Sequence, residues 1–390
     1  PEVTRIIKQQ QNAGALIMDY AGHGSQTQIS HESVLKITDF ENFRNANLPL
    51  WVTASCDIMP FDGVVSTVGE SALLNANGGA VAFYGTTRTV FAQENKYINR
   101  AFMRRVLSTV NGKPITIGEA HRLAQNDVMT GAAKEGESDR TQNHLQYSLL
   151  GDPALSLNFP TMKVVLDSIN GIACERTDTM PKLKAGSIAR IAGHIEGKAD
   201  YQGVVTATVR DSRELITCKL NNTKEADKAF QFYDRQKTLY QGSDSVSNGK
   251  FSFSFAVPKD INYSDATGLL NLYSISNDKT MRAHGTSEKF TVGGSVESRN
   301  DSIGPSIYCY LNSPSFVDGG DVNTTPFFVA KLSDRDGINA AGSGIGHDLQ
   351  LVIDGDMTKT YNLNDHFTYD FGTYTSGSTY YSIPELAPGK

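Results

Sequence analysis

Two apolar runs near the start of the chain, Ala15 to Ser25 (ALIMDYAGHGS) and Leu48 to Asp62 (LPLWVTASCDIMPFD), each stop abruptly at a small polar turn. Runs of this length, too short for isolated helices, predict buried parallel strands. The first ends in Gly22-His23-Gly24 and the second in Ser55-Cys56-Asp57. His23 and Cys56 stand 33 positions apart, close to one β-α-β unit of about 30 residues, which returns the chain to a parallel neighbour. That spacing puts both residues at the carboxyl ends of adjacent strands, where open α/β sheets build their sites.

Around these runs the pattern is helical. Residues 2–12 carry Val3, Ile6 and Ile7 on one face, and Asn12-Ala13-Gly14 ends the helix. Residues 38–47 predict a short crossover helix opened by a Thr38/Glu41 capping box. Further helices are expected over 66–77, 93–108 and 115–130, a third buried strand over 80–84, and a polar loop over 132–143. Tyr147 to Leu157 sets a Gly-Asp-Pro turn between two apolar runs.

At about Pro160 the helical period fades and alternation takes over, with strand signals every ~10–20 residues between Gly, Asn, Asp and Ser turns. A polar stretch, Gly293 to Pro305, interrupts this pattern. The reading is an α/β parallel-sheet domain over 1–160, a β-sandwich over 161–295 and a second β-sandwich over 296–390. The chain opens at Pro1 on a helical segment and closes at Ala387-Pro388-Gly389-Lys390, a turn that leads toward another strand. It therefore reads as a fragment of something longer, with both the first domain and the last sandwich truncated, and the lack of a signal peptide says nothing about export.

Composition changes this picture little. The formal net charge of −6 and the absence of a long basic run give no reason to expect nucleic acid. No apolar stretch approaches the ~18 residues of a membrane span. Four cysteines in 390 residues do not make a disulfide scaffold; Cys174 and Cys218 are either a pair or two buried thiols. His31 and His121 lack a partner at metal-ligand spacing and read as surface or satisfied residues. Asp318 to Asp321 and Asp334 to Gly337 look faintly like calcium loops but read as Asp/Gly turns. No metal or cofactor is expected.

The chemistry sits with the first pair. A thiol is a nucleophile through its thiolate, and a neighbouring imidazole takes its proton and later protonates a leaving group. Cys56 begins a segment after a strand, which leaves its N–H free for a developing oxyanion. Gly24 lacks a Cβ and can do the same. The bland alternative is a small buried Cys56 and a His23 satisfied within its turn.

The set Tyr20-x-Gly22-His23-Gly24-Ser25, Cys56 after its strand, Phe61-Asp62, Gly69-Glu70, Tyr84-Gly85 and Leu149-Leu150-Gly151-Asp152-Pro153 resembles the gingipain-type cysteine peptidases, and within them the sortases of type IX secretion. The resemblance covers about residues 1–158. It implies a caspase-like α/β fold, truncated at its start, with a Cys56–His23 dyad and oxyanion donors at Gly24 and Cys56, followed by two immunoglobulin-like sandwiches. It also implies an acidic residue that orients the histidine, contributed from upstream of this chain. Asp19 faces the site or packs elsewhere. The gingipain substrate pocket is walled in part by the segment after the third strand, here Thr86, Thr87 and Arg88, and an Arg88 turned inward argues against cleavage after basic residues.

A sortase of this kind implies cargo proteins carrying a C-terminal β-sandwich signal, anionic lipopolysaccharide as acceptor, other type IX secretion proteins as partners and a location at the Gram-negative cell surface. A gingipain-like endopeptidase that only hydrolyses, and a surface scaffold with an inactive peptidase domain, are the two alternatives.

Overall fold

The computed structural model describes residues 2–132, 136, 138–176, 178–220, 223, 224, 226–297, 303–340, 348–384, 386, 387 and 389. The chain forms two compact units, Pro1–Thr161 and Met162–Lys390.

The first unit is a three-layer α/β arrangement. In chain order it holds α1 (Glu2–Ala13), β1 (Ile17–Ala21), β2 (Gly24–Ser25), β3 (Gln28–Ile29), β4 (Leu35–Lys36), α2 (Ile37–Asn42), β5 (Leu50–Ala54), α3 (Val68–Leu74) and β6 (Ala82–Thr86). Then follow α4 (Ala92–Val106), β7 (Thr109–Val110), β8 (Lys113–Pro114), α5 (Ile117–Thr130) and β9 (Tyr147–Leu150). The main sheet has the order β1-β5-β6-β9, parallel except for β9. β2, β3 and β4 make a small antiparallel flap between β1 and α2.

The period of two along β5 explains the layers. Leu50 and Val52 join Ala82 and Tyr84 against Ile98 and Phe102 of α4 and Ala120 and Ala124 of α5. Trp51, on the opposite face, packs with Phe83, Phe40 of α2 and Val68 and Ala72 of α3. β5 is buried on both faces, as a central parallel strand should be. β1 differs from expectation: it pairs with β5 alone among the described residues, and its side chains are half-buried or exposed.

Several local readings shift. α2 opens one turn edge earlier, with the Lys36 N–H donating to Asp39 Oδ2 at 2.8 Å instead of a Thr38/Glu41 box. A box does form at α3, where Thr67 and Glu70 cap each other. The third strand lies two residues later than predicted, at Ala82–Thr86. On α1 only Ile7 reaches the core; Val3 and Ile6 are exposed. The helix is held instead by buried Gln11, which donates to the Gly79 carbonyl at 2.7 Å and accepts from the Trp51 indole at 3.1 Å.

The second unit is β throughout. One continuous sheet runs through Thr238–Val246, Gly203–Arg210, Leu269–Ser276, Arg282–Ser287, Met162–Ile169, Ile188–Ile195 and Lys250–Ala256. Met162–Ile169 is shared: its first residues pair in parallel with Arg282–Ser287, and its remainder pairs antiparallel with Ile188–Ile195. Alternate residues of both arms, such as Val205, Leu272, Ile191 and Phe253, meet in one core.

Ser306–Leu311, Phe327–Ser333, Ser376–Ser382 and Thr368–Tyr369 make a further four-stranded sheet. Its Ala330, Leu332, Phe367 and Tyr369 join that same core. The linker expected at Gly293 to Pro305 falls partly on residues 298–302, outside the described residues, as do 133–135 and 137 of the polar loop and residues 388 and 390 of the terminal turn.

All four cysteines are free thiols: Cys174 is buried while Cys218 is exposed, so the Cys174–Cys218 pair does not form. In the second acidic turn the Asp334 carboxylate accepts from the Asp336 N–H at 2.8 Å, an Asx turn.

Candidate active site

The register of β1 with β5 aligns Ala21 with Ala54. His23 and Cys56 therefore occupy equivalent positions, each two residues beyond the carboxyl end of its strand. By alternation both continue the face that carries Leu50, Val52 and Ala54, the α4 side. A cleft of about 430 Å³ opens there. His23, Cys56, Asp19 and Gly22 line it together with Val90, Asn95, Lys96, Asn99 and Arg100 of the α4 segment.

Each loop is pinned by the other. The Gly22 N–H donates to the Ala54 carbonyl at 3.2 Å, and the Ser55 hydroxyl donates back to the Gly22 carbonyl at 2.9 Å. The His23 carbonyl accepts from the Ser30 N–H and from the Tyr20 hydroxyl, both at 2.8 Å. A Cβ built on Gly24 falls 2.2 Å from Ser55 Oγ and 3.2 Å from Ile58 Cδ1. Gly24 is thus required by close approach of the two loops. Gly24 pairs with Ile29 and is not among the residues lining the cleft.

The cysteine loop is also tied to the end of β6. The Asp57 N–H donates to the Arg88 carbonyl at 3.2 Å and the Met59 N–H to the Thr86 carbonyl at 3.0 Å. Asp57 sits at φ 47° and accepts from the Thr89 hydroxyl at 2.7 Å. The Cys56 thiol donates to the Val90 carbonyl at 3.4 Å. The Cys56 N–H has no acceptor among the described residues.

Thr86, Thr87 and Arg88 do not line the cleft. Thr86 is fully buried and its hydroxyl donates to the Ser55 carbonyl. The Thr87 hydroxyl donates to the Gln146 carbonyl at 3.2 Å. Arg88 turns outward and pairs with Asp62, both more than half exposed, and this pairing holds the Asp62 carboxyl below its ordinary range. Two and four residues on, Val90 and Ala92 supply the wall instead.

Asp19 does reach the cleft, where its Oδ1 accepts from the Asn99 amide at 2.8 Å. His121, expected at the surface or satisfied by hydrogen bonds, is half-buried. It lies edge-on to Tyr84 at 5.4 Å with its Nδ1 unpartnered among the described residues, and burial pushes its imidazole down. The buried hydroxyls of Tyr84 and Tyr147 are likewise unpartnered; burial pushes the Tyr147 hydroxyl up, and Tyr84, Cys56 and Asp19 add to that shift.

A second pair gave no signal in the sequence. His144 Nδ1 lies 2.8 Å from Asp139 Oδ2, both side chains buried, and the same carboxylate accepts from the His144 N–H. Burial pushes the Asp139 carboxyl up, but hydrogen bonds from Thr141 and His144 outweigh it and hold the group below its ordinary value. No group of three or more metal-ligating side chains occurs among the described residues, and no helix among them is long and apolar enough to cross a membrane.

Residues 1–158 match the model of peptidase family C25. No curated protein sequence matches the chain. Among solved structures, dimeric latent PorU from Porphyromonas gingivalis is similar at 32% identity over 80% of this chain and 29% of its own, with a TM-score of 0.41. The Arg-specific cysteine proteinase gingipain R is similar at 16% identity over 74% of this chain and 56% of its own, with a TM-score of 0.33. The chain thus spans under a third of the PorU chain and little over half of the gingipain R chain. The sequence similarity to peptidase family C25, the gingipain family, is thus a property of residues 1–158, under half of the chain.

Proposed function

We propose that Cys56 and His23 are the nucleophile and the proton carrier of this peptidase, and that the protein works as a sortase of type IX secretion. The observation that carries the dyad is the shared cleft: the two side chains stand at matched positions past paired parallel strands and line one cavity. The Cys56 sulfur attacks the scissile carbonyl as His23 takes the thiol proton, and an S–C bond forms. The Cys56 N–H, without an acceptor among the described residues, receives the oxyanion. His23 then hands its proton to the departing amine, the C–N bond breaks and a thioester remains. An acceptor amine attacks the thioester, its proton passes through His23 to the sulfur, and a new amide is released.

In the sortase reading the donor is a cargo protein with a C-terminal β-sandwich signal and the acceptor an amine of anionic lipopolysaccharide, at the outer surface of a Gram-negative cell beside other type IX secretion proteins. The two β modules would be immunoglobulin-like. The sequence resemblance supports it over a gingipain-like hydrolase; Arg88, turned outward onto Asp62, favours neither.

The test uses the full protein, a signal-bearing donor and an added amine. A Cys56→Ala variant is expected to lose activity by about 10⁴-fold or more, and His23→Ala by about 10²- to 10⁴-fold. Ligation product that rises with amine supports the sortase. Hydrolysis alone, indifferent to the amine, leaves the peptidase and removes the sortase. A thiol reagent that leaves Cys56 unlabelled in the folded protein identifies an inactive scaffold.

A further inference from the structure

The outer four-stranded sheet of the second unit has an unusual solvent face. Register places Ser306, Ser333 and Ser376 in one row, Tyr308, Lys331 and Ser378 in the next, then Tyr310, Val329 and Tyr380, then Phe327 and Ser382. In the intervening rows Ala330, Leu332 and Thr379 are buried, while Ile307 and Cys309 of the edge strand are exposed. A face turned to water is ordinarily polar. This one carries four aromatic rings, of which Tyr308, Phe327 and Tyr380 are exposed. The rings form fixed pairs: Phe327 stacks on Tyr380 at 5.4 Å and Tyr308 meets Tyr310 at 5.8 Å. The Tyr308 hydroxyl donates to the Pro314 carbonyl at 2.9 Å, which pins its ring.

Beside Tyr308 the sheet holds a hollow of about 280 Å³, lined by Ser306, Ser333, Ser376, Ser378, Leu332, Lys331 and Asp370, where the Ser376 hydroxyl donates to the Asp370 carboxylate at 2.5 Å. We propose that this face binds a neutral oligosaccharide, one sugar ring seated in the hollow and the chain running across the aromatic rows. Sugar rings present C–H groups on their flat faces and hydroxyls on their rims. Aromatic planes meet the first, and a mixed set of serines, one amine and one carboxylate meets the second. Lys331 and Asp370 cancel in charge, which favours a neutral ligand. Val329 is the one aliphatic side chain in these rows, so the face lacks the apolar centre of a protein–protein interface. The hollow sits near the small end of ligand pockets, suited to a single ring with the rest of the ligand outside. The site is independent of the peptidase cleft and of the reading given to it.

Native gel electrophoresis of the full chain through gels cast with laminarin, soluble starch, mannan or dextran tests this. Retardation by at least one of these polymers is expected, weakened tenfold or more by Tyr308→Ala and by Tyr380→Ala. Both side chains face water, so the thermal midpoint of either variant is expected to match the parent, and Cys56 labelling serves as a second control on folding. Free migration in all four polymers overturns the proposal. So does retardation that both variants retain, and so does self-association through Tyr380 without any glycan effect, which would give the face to a protein partner.

Discussion

At the residue scale the site depends on two loops that touch. Gly24 and Ser55 are in closest approach, and a methyl group at position 24 has no space beside Ser55 Oγ. Gly24→Ala is expected to cost about 1–3 kcal/mol of stability through overpacking and to lower peptidase activity further by moving His23. Adding Ser55→Ala removes the nearest atom and should restore part of both, as read by urea unfolding and turnover; a neutral Gly24→Ala would mean that the loops are not held together. Thr86 acts on the same joint from beneath. Thr86→Val leaves the buried Ser55 carbonyl without its donor, an expected loss of about 1–3 kcal/mol, with faster labelling of Cys56 by thiol reagents as its loop loosens. The roles of Gly24 as a close-approach residue and Thr86 as a buried clasp were invisible in the sequence, because each depends on Ser55, 31 positions away in the loop after β5. His23 and Cys56 were legible because strand periodicity and crossover length are local properties of the chain.

At the scale of elements, α4 and α5 form the wall behind the cleft. Arg105 of α4 forks onto Asp127 of α5 with contacts of 2.6 and 2.7 Å, and the Asp127 carboxylate is nearly buried. Arg105→Met leaves that carboxylate without its guanidinium, and a loss of about 1–3 kcal/mol is expected, read by urea unfolding, because Asp127 is nearly buried while Arg105 is partly exposed. The loop after α5 carries an acid-sensitive tie. The Asp139 carboxyl is held below its ordinary value by Thr141 and His144. A carboxylate with a lowered folded-state pKa binds more protons when unfolded, so its stabilisation is complete above the unfolded value near 3.9 and is lost as pH falls through the folded value. Urea midpoints should therefore drop below about pH 4, and Asp139→Asn should lower stability at neutral pH while flattening that acid slope. Amphipathic spacing disclosed these helices; the Arg105–Asp127 and Asp139–His144 ties join groups whose meeting is decided only by packing.

At the scale of the whole molecule, each of the two units packs around core residues of its own. Residues 162–390 alone are expected to give a β-type circular dichroism spectrum and one cooperative unfolding transition; a non-cooperative melt would show that this core is incomplete without the first unit. Alternation marked the change of architecture near Pro160, yet it did not disclose that strands after the Gly293 linker share a core with those before it, because alternation specifies an inward face and not what that face meets. The strand Met162–Ile169 has a mechanical consequence. It is the first strand of its unit and is bonded to both arms of the large sheet, parallel on one side and antiparallel on the other. Tension carried along the chain into this unit therefore loads that strand first, and pulling it out separates the two arms at their seam. In optical-tweezer traces the β unit should accordingly yield in one large step, with no plateau from strands peeling away singly.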